Sequence, residues 1–467
     1  MKREKKLFAI FIAYIIGSIA FANAKLENDL EYLHQVLTEA YVGYEYNEKA
    51  GFDLELAIDN VRKQYIKKAG ADKLSDDTIS DDLLAECINN EILEKLKIPD
   101  HHFGIYSKHS YYGFNPTKWF SSKIFFTKEG NDYYVSLSLN PRIRRKAKYT
   151  GKRENLFEVI LLNKRYYVFG VFSNNTIKES EVSINNKIYK TRMYIGNYIY
   201  NRRPGHIGMK KTKKSVYLSF SDCTFYGQNK NDHTVLVRKL EDYLREIKKS
   251  HYENYIIDLR GNSGGIISNL IPVLKTINFE GDYKNCDKVT KKIKTFRVSN
   301  IKDTELIRKA RSQYQEENPA YKYFLVEDST TEYYKKQPVP EYDFEPAFKG
   351  NVIILCDFFS ASAAELFIAY SYMFENVYLI GTNTSGTIDF GGVWDYYLPE
   401  SGIKLHIACE SFKESGFLQN NPHWHGDKKG FYPDFWCTSN SLLPTLVTIT
   451  KDKKLRRKLH GLSDRLL

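Results

Sequence analysis

Residues 350–390 read GNVIILCDFFSASAAELFIAYSYMFENVYLIGTNTSGTIDF. Val352 to Cys356 form a continuous apolar run, the pattern of a strand covered on both faces. The chain then turns through Asp357–Ser360 and takes up a helical pattern from Ser362, with Leu366, Phe367, Tyr370 and Met373 on one face. Val377 to Ile380 is a second apolar run, closed by Gly381. Strand, sharp turn, helix and strand make a βαβ unit. The turn puts a serine at a helix start, where unpaired N–H groups and the helix dipole favour negative charge. Such a serine is either an N-cap or a nucleophile, and spacing leaves both open.

The α/β pattern extends outward from this stretch. Val216–Phe220 reads as a strand, Thr234–Lys249 as an amphipathic helix through Val235, Val237, Leu240, Tyr243 and Leu244, and Tyr255–Asp258 as a buried strand. That last strand runs into Leu259-Arg260-Gly261-Asn262-Ser263-Gly264-Gly265, with a helix expected from Ile266. Alternating strands and helices imply a largely parallel, covered sheet over 215–450. Residues 276–349 form a polar, tyrosine-rich excursion from it, with a helix near Thr304–Glu317 and a Pro-marked end at Pro338–Pro346. Leu405–Cys409 is a further strand, Asn421–Gly430 a polar loop, and 451–467 a basic tail with a short helix.

Upstream, residues 25–100 are helical. Leu30, Leu33, Leu37 and Ala40 share one face of a first helix, Asp53–Lys68 forms a second, and Ser80–Leu96 a third that Pro99 stops. Residues 101–214 change to alternating Tyr, Phe, Val and Ile. Strands are expected around Lys123–Thr127, Asp132–Ser138, Leu156–Leu161, Tyr166–Val171 and Glu181–Ile184, with turns at Gly130-Asn131 and Asn185-Asn186. This is a β-rich module or an insertion, a degenerate PDZ-like domain being one form it could take. Arg142–Arg153 reads as a solvated basic loop.

The chain has 467 residues, 42% apolar and 15% aromatic, enough for a sizeable core. Its 69 basic and 57 acidic residues give a net charge of +12, spread along the chain. That supports a general attraction to anionic surfaces, and no nucleic-acid-binding module accompanies it. Met1–Ala24 has a basic start (Lys2, Arg3, Lys5, Lys6), an apolar run from Leu7 to Phe21, and Ala22-Asn23-Ala24 at its end. It reads as a secretory signal cleaved after Ala24, with an uncleaved anchor as the alternative. The expected location is periplasmic or secreted. Six widely spaced cysteines form no C-x-x-C pair, so neither a zinc site nor a disulfide scaffold is indicated.

Gly261, Gly264 and Gly265 follow a strand and offer N–H groups to a ligand, as an oxyanion site or as a plain turn. The phosphate-loop and dinucleotide patterns are absent. His101 and His102 are weak as a bare pair, and His423, His425 and Asp427 in HWHGD are too unspecific to define a metal site.

Together, these segments resemble the C-terminal processing (tail-specific) and tricorn-core serine peptidases. Asp258–Gly265 is similar to their D-L-R-x-N-x-G-G signature. Ser360-Ala361-Ser362-Ala363-Ala364-Glu365 resembles S-A-S-A-x-E, whose serine three before the glutamate attacks. Gly381–Gly386 resembles G-x-x-T-x-G; where the processing proteases then carry a lysine base, this chain has Thr387. The tricorn-like branch instead uses a histidine in L-x-D-x-H, to which Ile98-Pro99-Asp100-His101-His102 is similar, selecting His102. Its carboxylate lies in E-x-x-G-x-x-P-D, matched by Asp427–Asp434 with aspartate for glutamate.

The resemblance implies Ser362 as nucleophile, His102 as base and Asp427 as the carboxylate steadying the imidazolium. Ala363 with Gly264 or Gly265 would supply the oxyanion donors. Glu365 reads as a tether for the serine or a neighbouring loop, and Arg260 with Asp258 as a brace for the glycine turn. The expected fold is α/β: a crotonase-like ββα-spiral peptidase core with an N-terminal helical bundle and the β-rich segment. The expected activity is hydrolysis of unfolded or tail-presented polypeptide, with no cofactor or metal, no nucleic acid, and no membrane contact beyond the signal segment. A ligand-binding protein on the same scaffold is the alternative.

Overall fold

The computed structural model describes residues 24–459, except 74–78, 162–163, 196–204, 226–231, 277–288, 296–330, 338–349, 373–375, 414–415 and 438. The expected signal segment apart from Ala24, the helix near Thr304–Glu317 and the Pro338–Pro346 stretch lie outside the described residues. The chain divides into two compact units. The first comprises residues 1–114, 290–337 and 389–415; the second comprises 115–289, 338–388 and 416–467.

The first unit contains the helices 24–39, Tyr44–Lys49, Leu54–Lys73 and Asp81–Glu91. Asp53 starts the third of these by accepting the Leu56 N–H at 2.9 Å. The helix expected over Ser80–Leu96 ends sooner, passing at Ile92 into the 3₁₀ turn Leu93–Lys95. The tightened turn brings neighbouring Ile92 and Leu93 both into the core. Those helices pack on a sheet whose central strand, Lys404–Ser411, pairs antiparallel with Phe390–Tyr397 and with Gly104–Tyr106. Tyr396, Leu398, Ile403, Leu405 and Ile407 join the helical residues in one apolar cluster. Residues 389–415, numbered within the expected α/β core, thus belong with the amino-terminal helices.

The second unit holds a six-stranded sheet in the order Ile207–Lys211, Ser215–Phe220, Asn254–Asp258, Asn351–Cys356, Val377–Gly381, Phe435–Trp436. The first pairing is antiparallel and the remaining four are parallel. Ser215–Phe220 and Asn254–Asp258 are buried throughout, as their apolar runs require. Ile256, Ile353, Leu355 and Ile380 pack against Leu442, Leu443 and Leu446 of the helix Ser439–Thr450. That helix is concealed in the sequence because Pro444 lies inside it. After the glycine turn the expected helix from Ile266 is a 3₁₀ turn, Ile267–Asn269, followed by the short helix Ile271–Thr276.

A second sheet in this unit orders Asp132–Ser138, Lys118–Glu129, Lys164–Ser173 and Leu156–Leu161, all antiparallel. Beside it stands the hairpin Glu179–Ile184/Lys187–Arg192. Its Asn185-Asn186 turn places both residues at positive φ, 49° and 58°, the geometry that matches strand twist in a tight hairpin. Phe120, Ile124, Phe126, Val135, Phe169, Val182 and Ile184 form the core between them. Cys87, Cys223, Cys356, Cys409 and Cys437 are buried free thiols.

Candidate active site

Four of the expected site residues, Gly264, Gly265, Ser362 and Ala363, lie where the two signature segments of the second unit are stitched together. Asp357 Oδ1 accepts the N–H groups of Gly261 (2.9 Å) and Phe359 (3.0 Å). Ser360 Oγ donates to the Leu259 carbonyl at 2.8 Å, and the Ala361 N–H donates to the Asn262 carbonyl at 3.0 Å. Arg260 is buried and braces the turn through a two-pronged contact with Asp258, 3.0 and 2.8 Å. These bonds fix the strand-to-helix turn before Ser362 enters it.

Ser362 precedes the helix Ala363–Ser371 with φ 53° and ψ −118°. An ordinary N-cap sits in the β region. Ser362 occupies a region that L-residues rarely adopt, at a cost of about 1–3 kcal/mol. A strained serine on a sharp strand-to-helix turn is the geometry that presents a nucleophile. The strain is held by the Ser362 N–H, which is shared between Thr387 Oγ1 (2.7 Å) and Glu365 Oε2 (3.1 Å).

Glu365 is the hub of this arrangement. Its fully buried carboxylate also accepts the Gly386 N–H at 2.7 Å, the Thr387 N–H at 2.8 Å, the Thr387 hydroxyl at 2.8 Å and the Thr384 hydroxyl. Burial pushes the carboxyl above its usual range, and the bonds from Thr384, Thr387 and Gly386 pull the other way. The tether expected of Glu365 is therefore a clamp on the whole Thr384–Thr387 turn. Thr387, where the resemblance would place a lysine, bridges that carboxylate to the serine backbone.

Gly264 stands directly against the serine. A Cβ built there would meet Ala361 O at 2.7 Å, Ser362 Cβ at 2.8 Å and Ala363 N at 3.0 Å, and its φ is +97°. Glycine is required by both space and conformation. Its N–H donates to Asn262 Oδ1 at 2.9 Å. Gly265 and Ala363 N–H groups donate to no protein acceptor among the described residues. These two N–H groups are thus uncommitted among the described residues, while Gly264 makes the close approach to Ser362 and Ala363.

Asp427 is buried in the loop that follows His425. The loop is latched to the turn that Glu365 clamps. Lys428 N–H donates to the Gly386 carbonyl at 3.0 Å, and Phe431 N–H donates to Thr384 Oγ1 at 2.7 Å. A Cβ on Gly386 would lie 2.6–2.8 Å from the Lys428, Lys429 and Gly430 nitrogens, so only glycine admits this approach. The neighbouring histidines are absorbed in packing. His423 stacks on Tyr372 at 4.5 Å, and His425 on Tyr432 at 3.7 Å. Among the described residues no cluster could hold a metal ion. Asp434 accepts the Leu379 N–H at 2.8 Å and serves the edge of the sheet.

His102 belongs to the first unit. Its backbone N–H donates to Asp100 Oδ1 at 2.7 Å, and its Nδ1 stands 3.9 Å from the same oxygen. Burial draws the imidazole down to about 4, His406 adding to the effect while a bond with the Phe390 backbone opposes it. The ring is neutral near pH 7, the form that can accept a proton. Burial also pushes the Asp100 carboxyl up to about 7, against the bonds from the His102 N–H and Tyr41. Asp100 was visible in the sequence only as part of the pattern around His102; its burial gives it a structural task of its own.

Compared with known proteins, residues 233–435 match the model of peptidase family S41. No curated protein matches the chain. Similar solved structures include mature CPAF, 12% identical over 96% of this chain and 98% of that one, with a TM-score of 0.45. The photosystem II D1 C-terminal processing protease is 12% identical over 95% and 99%, with a TM-score of 0.37. A lipoprotein from Streptococcus agalactiae is 11% identical over 93% and 96%, with a TM-score of 0.38.

Proposed function

We propose that the chain, whose residues 233–435 match the model of peptidase family S41, is an exported serine endopeptidase working through Ser362, His102 and Asp427. The observation that carries the assignment of Ser362 is its backbone, φ 53° and ψ −118°, held by Glu365 and Thr387 at the head of a helix. In this reading Ser362 Oγ adds to a peptide carbonyl as its proton passes to the neutral His102 ring. The tetrahedral oxygen is received by the Gly265 and Ala363 N–H groups, each worth about 3–4 kcal/mol in the transition state. His102 then returns the proton to the leaving amine. Water attacks the acyl-enzyme by the same route in reverse, and Asp427 steadies the imidazolium formed in each half.

The substrate is unfolded or tail-presented polypeptide, and no metal or cofactor enters the cycle. Export rests on the basic start, apolar run and small-residue end of Met1–Ala24. A fluorophosphonate probe tests the whole assignment. The folded full chain should be labelled, and Ser362→Ala should abolish labelling with the melting transition retained. A folded wild-type chain that takes no label would instead mark a binding protein on this scaffold.

A further inference from the structure

The β-rich part of the second unit carries a charged surface that the peptidase reading leaves unused. After the strand Asp132–Ser138 the chain runs through Arg142, Ile143, Arg144, Arg145 and Lys146. Ile143 is buried and pegs the loop, while the four cations around it are exposed. The loop is fixed at both ends to the neighbouring hairpin. Asn140 Nδ2 donates to the Lys190 carbonyl at 3.3 Å, and Lys148 and Asn185 exchange two bonds of 2.8 Å. Along Lys187–Arg192 the strand alternation turns Tyr189 and Thr191 inward and leaves Ile188 and Lys190 outward. Leu139 and Ile188, on the two segments so joined, are 66% and 67% exposed.

The cations here are largely uncompensated. Lys148 pairs with Asp132 at 2.7 Å, Lys152 with Glu154 at 3.7 Å, and Arg153 lies over the Tyr133 ring at 4.8 Å. Glu181 faces Lys190 across the hairpin, and Glu179 faces Arg192. Arg142, Arg144, Arg145, Lys146, Lys187 and Lys190 form no ion pair among the described residues. Six such cations stand on the same two joined segments as the projecting aliphatic side chains Leu139 and Ile188.

We propose that this surface docks the chain peripherally on an anionic phospholipid membrane. The arginines and lysines would meet headgroup phosphates, and Leu139 and Ile188 would enter the boundary between headgroups and acyl chains. A lipid surface receives cations and aliphatic groups together at two depths, whereas an acidic polymer needs only the cations. The contact is peripheral: no helix among the described residues is long and apolar enough to cross a membrane. It extends the expectation that the chain meets a membrane only through its amino-terminal segment, and it stands apart from the peptidase assignment.

The test uses the full chain with vesicles of phosphatidylcholine alone and of phosphatidylcholine mixed with phosphatidylglycerol. Two variants, R142E/R144E/R145E and L139S/I188S, keep the amino terminus identical, so its contribution cancels between proteins. Wild type should favour the mixed vesicles, with binding weakened by added salt. Charge reversal should weaken that binding about tenfold or more and leave binding to neutral vesicles unchanged. L139S/I188S should also weaken vesicle binding while retention on polyglutamate is unaltered. Melting temperatures confirm that both variants fold, and a R142Q/R145Q chain substitutes for the triple variant if it does not. Mixed-vesicle binding untouched by charge reversal overturns the proposal. So does equal vesicle binding by L139S/I188S and wild type with loss on polyglutamate in the charge variant, which would identify an acidic polymer as the occupant.

Discussion

Thr387 Oγ1 lies 2.7 Å from the Ser362 backbone nitrogen and accepts its N–H, while its own proton goes to Glu365 2.8 Å away. One hydroxyl therefore joins a buried carboxylate to the backbone of a strained serine. The residue standing where the resemblance would supply a lysine base has become a positioning group.

Removing that hydroxyl should be felt at the serine. Thr387→Val deletes one acceptor of the Ser362 N–H and one donor to Glu365, so it should destabilise the chain by about 1–3 kcal/mol. Thr387→Ser should restore most of the loss. Fluorophosphonate labelling rates should fall with valine and recover with serine, measured beside denaturant unfolding. Equal behaviour of valine and serine variants would show that the methyl packing, not the hydroxyl, matters.

Glu365→Gln puts an amide where five donors converge. Its NH₂ would face donors, leaving some buried and unpaired, with an expected loss of about 3 kcal/mol. Because the clamp also latches the Asp427 loop, labelling should slow even in variant protein that remains folded. Thermal melting and labelling of the same samples separate the two effects.

The Ser362 backbone adds to what an ordinary helix cap predicts. At such a cap alanine costs about 1 kcal/mol and glycine a few tenths. Here φ 53° and ψ −118° also favour glycine, so Ser362→Gly should be more stable than Ser362→Ala by about 1–3 kcal/mol beyond that cap difference. Paired unfolding curves of the two inactive variants decide it.

Gly264→Ala should slow turnover sharply without removing any proposed catalytic side chain. The added methyl would lie within 3.0 Å of Ala361 O, Ser362 Cβ and Ala363 N. The chain must move the serine or the oxyanion donor to relieve this, and a displacement of that order costs about 100-fold in rate. Steady-state hydrolysis of an unfolded polypeptide reads it out.

His102 and Asp100 should oppose each other in the stability–pH profile. The imidazole falls from an ordinary 6.5 to about 4, so the unfolded state binds the extra proton and stability rises with pH from about 4 to 6.5. The carboxyl rises from 3.8 to about 7, so the folded state holds the extra proton and stability falls as pH goes from about 4 to 7. The slopes nearly cancel in the wild type. Asp100→Asn should unmask a rising slope of about 1.4 kcal/mol per pH unit, and His102→Gln a falling one of similar size. Denaturation midpoints between pH 4 and 7 measure both, and parallel profiles for the two variants would refute the assignment.

What could be read along the chain was whatever depends on neighbours in number. Val352–Cys356 and Tyr255–Asp258 are legible as strands because both faces are covered, so every side chain is apolar or held at the strand's end. The short signature segments carried the serine, the glycine turn and the family resemblance, since each concentrates its chemistry within a few residues. The helix Ser439–Thr450 was hidden by Pro444, and the helix expected from Ile266 became a 3₁₀ turn.

The sequence by itself determined the α/β class, the resemblance to a peptidase family and a serine at a helix head, because these follow from local periodicity and contiguous motifs. Only the tertiary structure decided what that serine's backbone does. It brought Thr384, Gly386 and Thr387 around Glu365, committed the Gly264 N–H to Asn262, and placed Asp100 beneath the His102 backbone. It also gathered residues 389–415 with helices more than 250 positions earlier. The Glu365 clamp and the 389–415 packing join groups distant in number, and all these bonds form where burial leaves a carboxylate or an N–H no partner in water. Their identity is settled by packing, which no single stretch of chain can express.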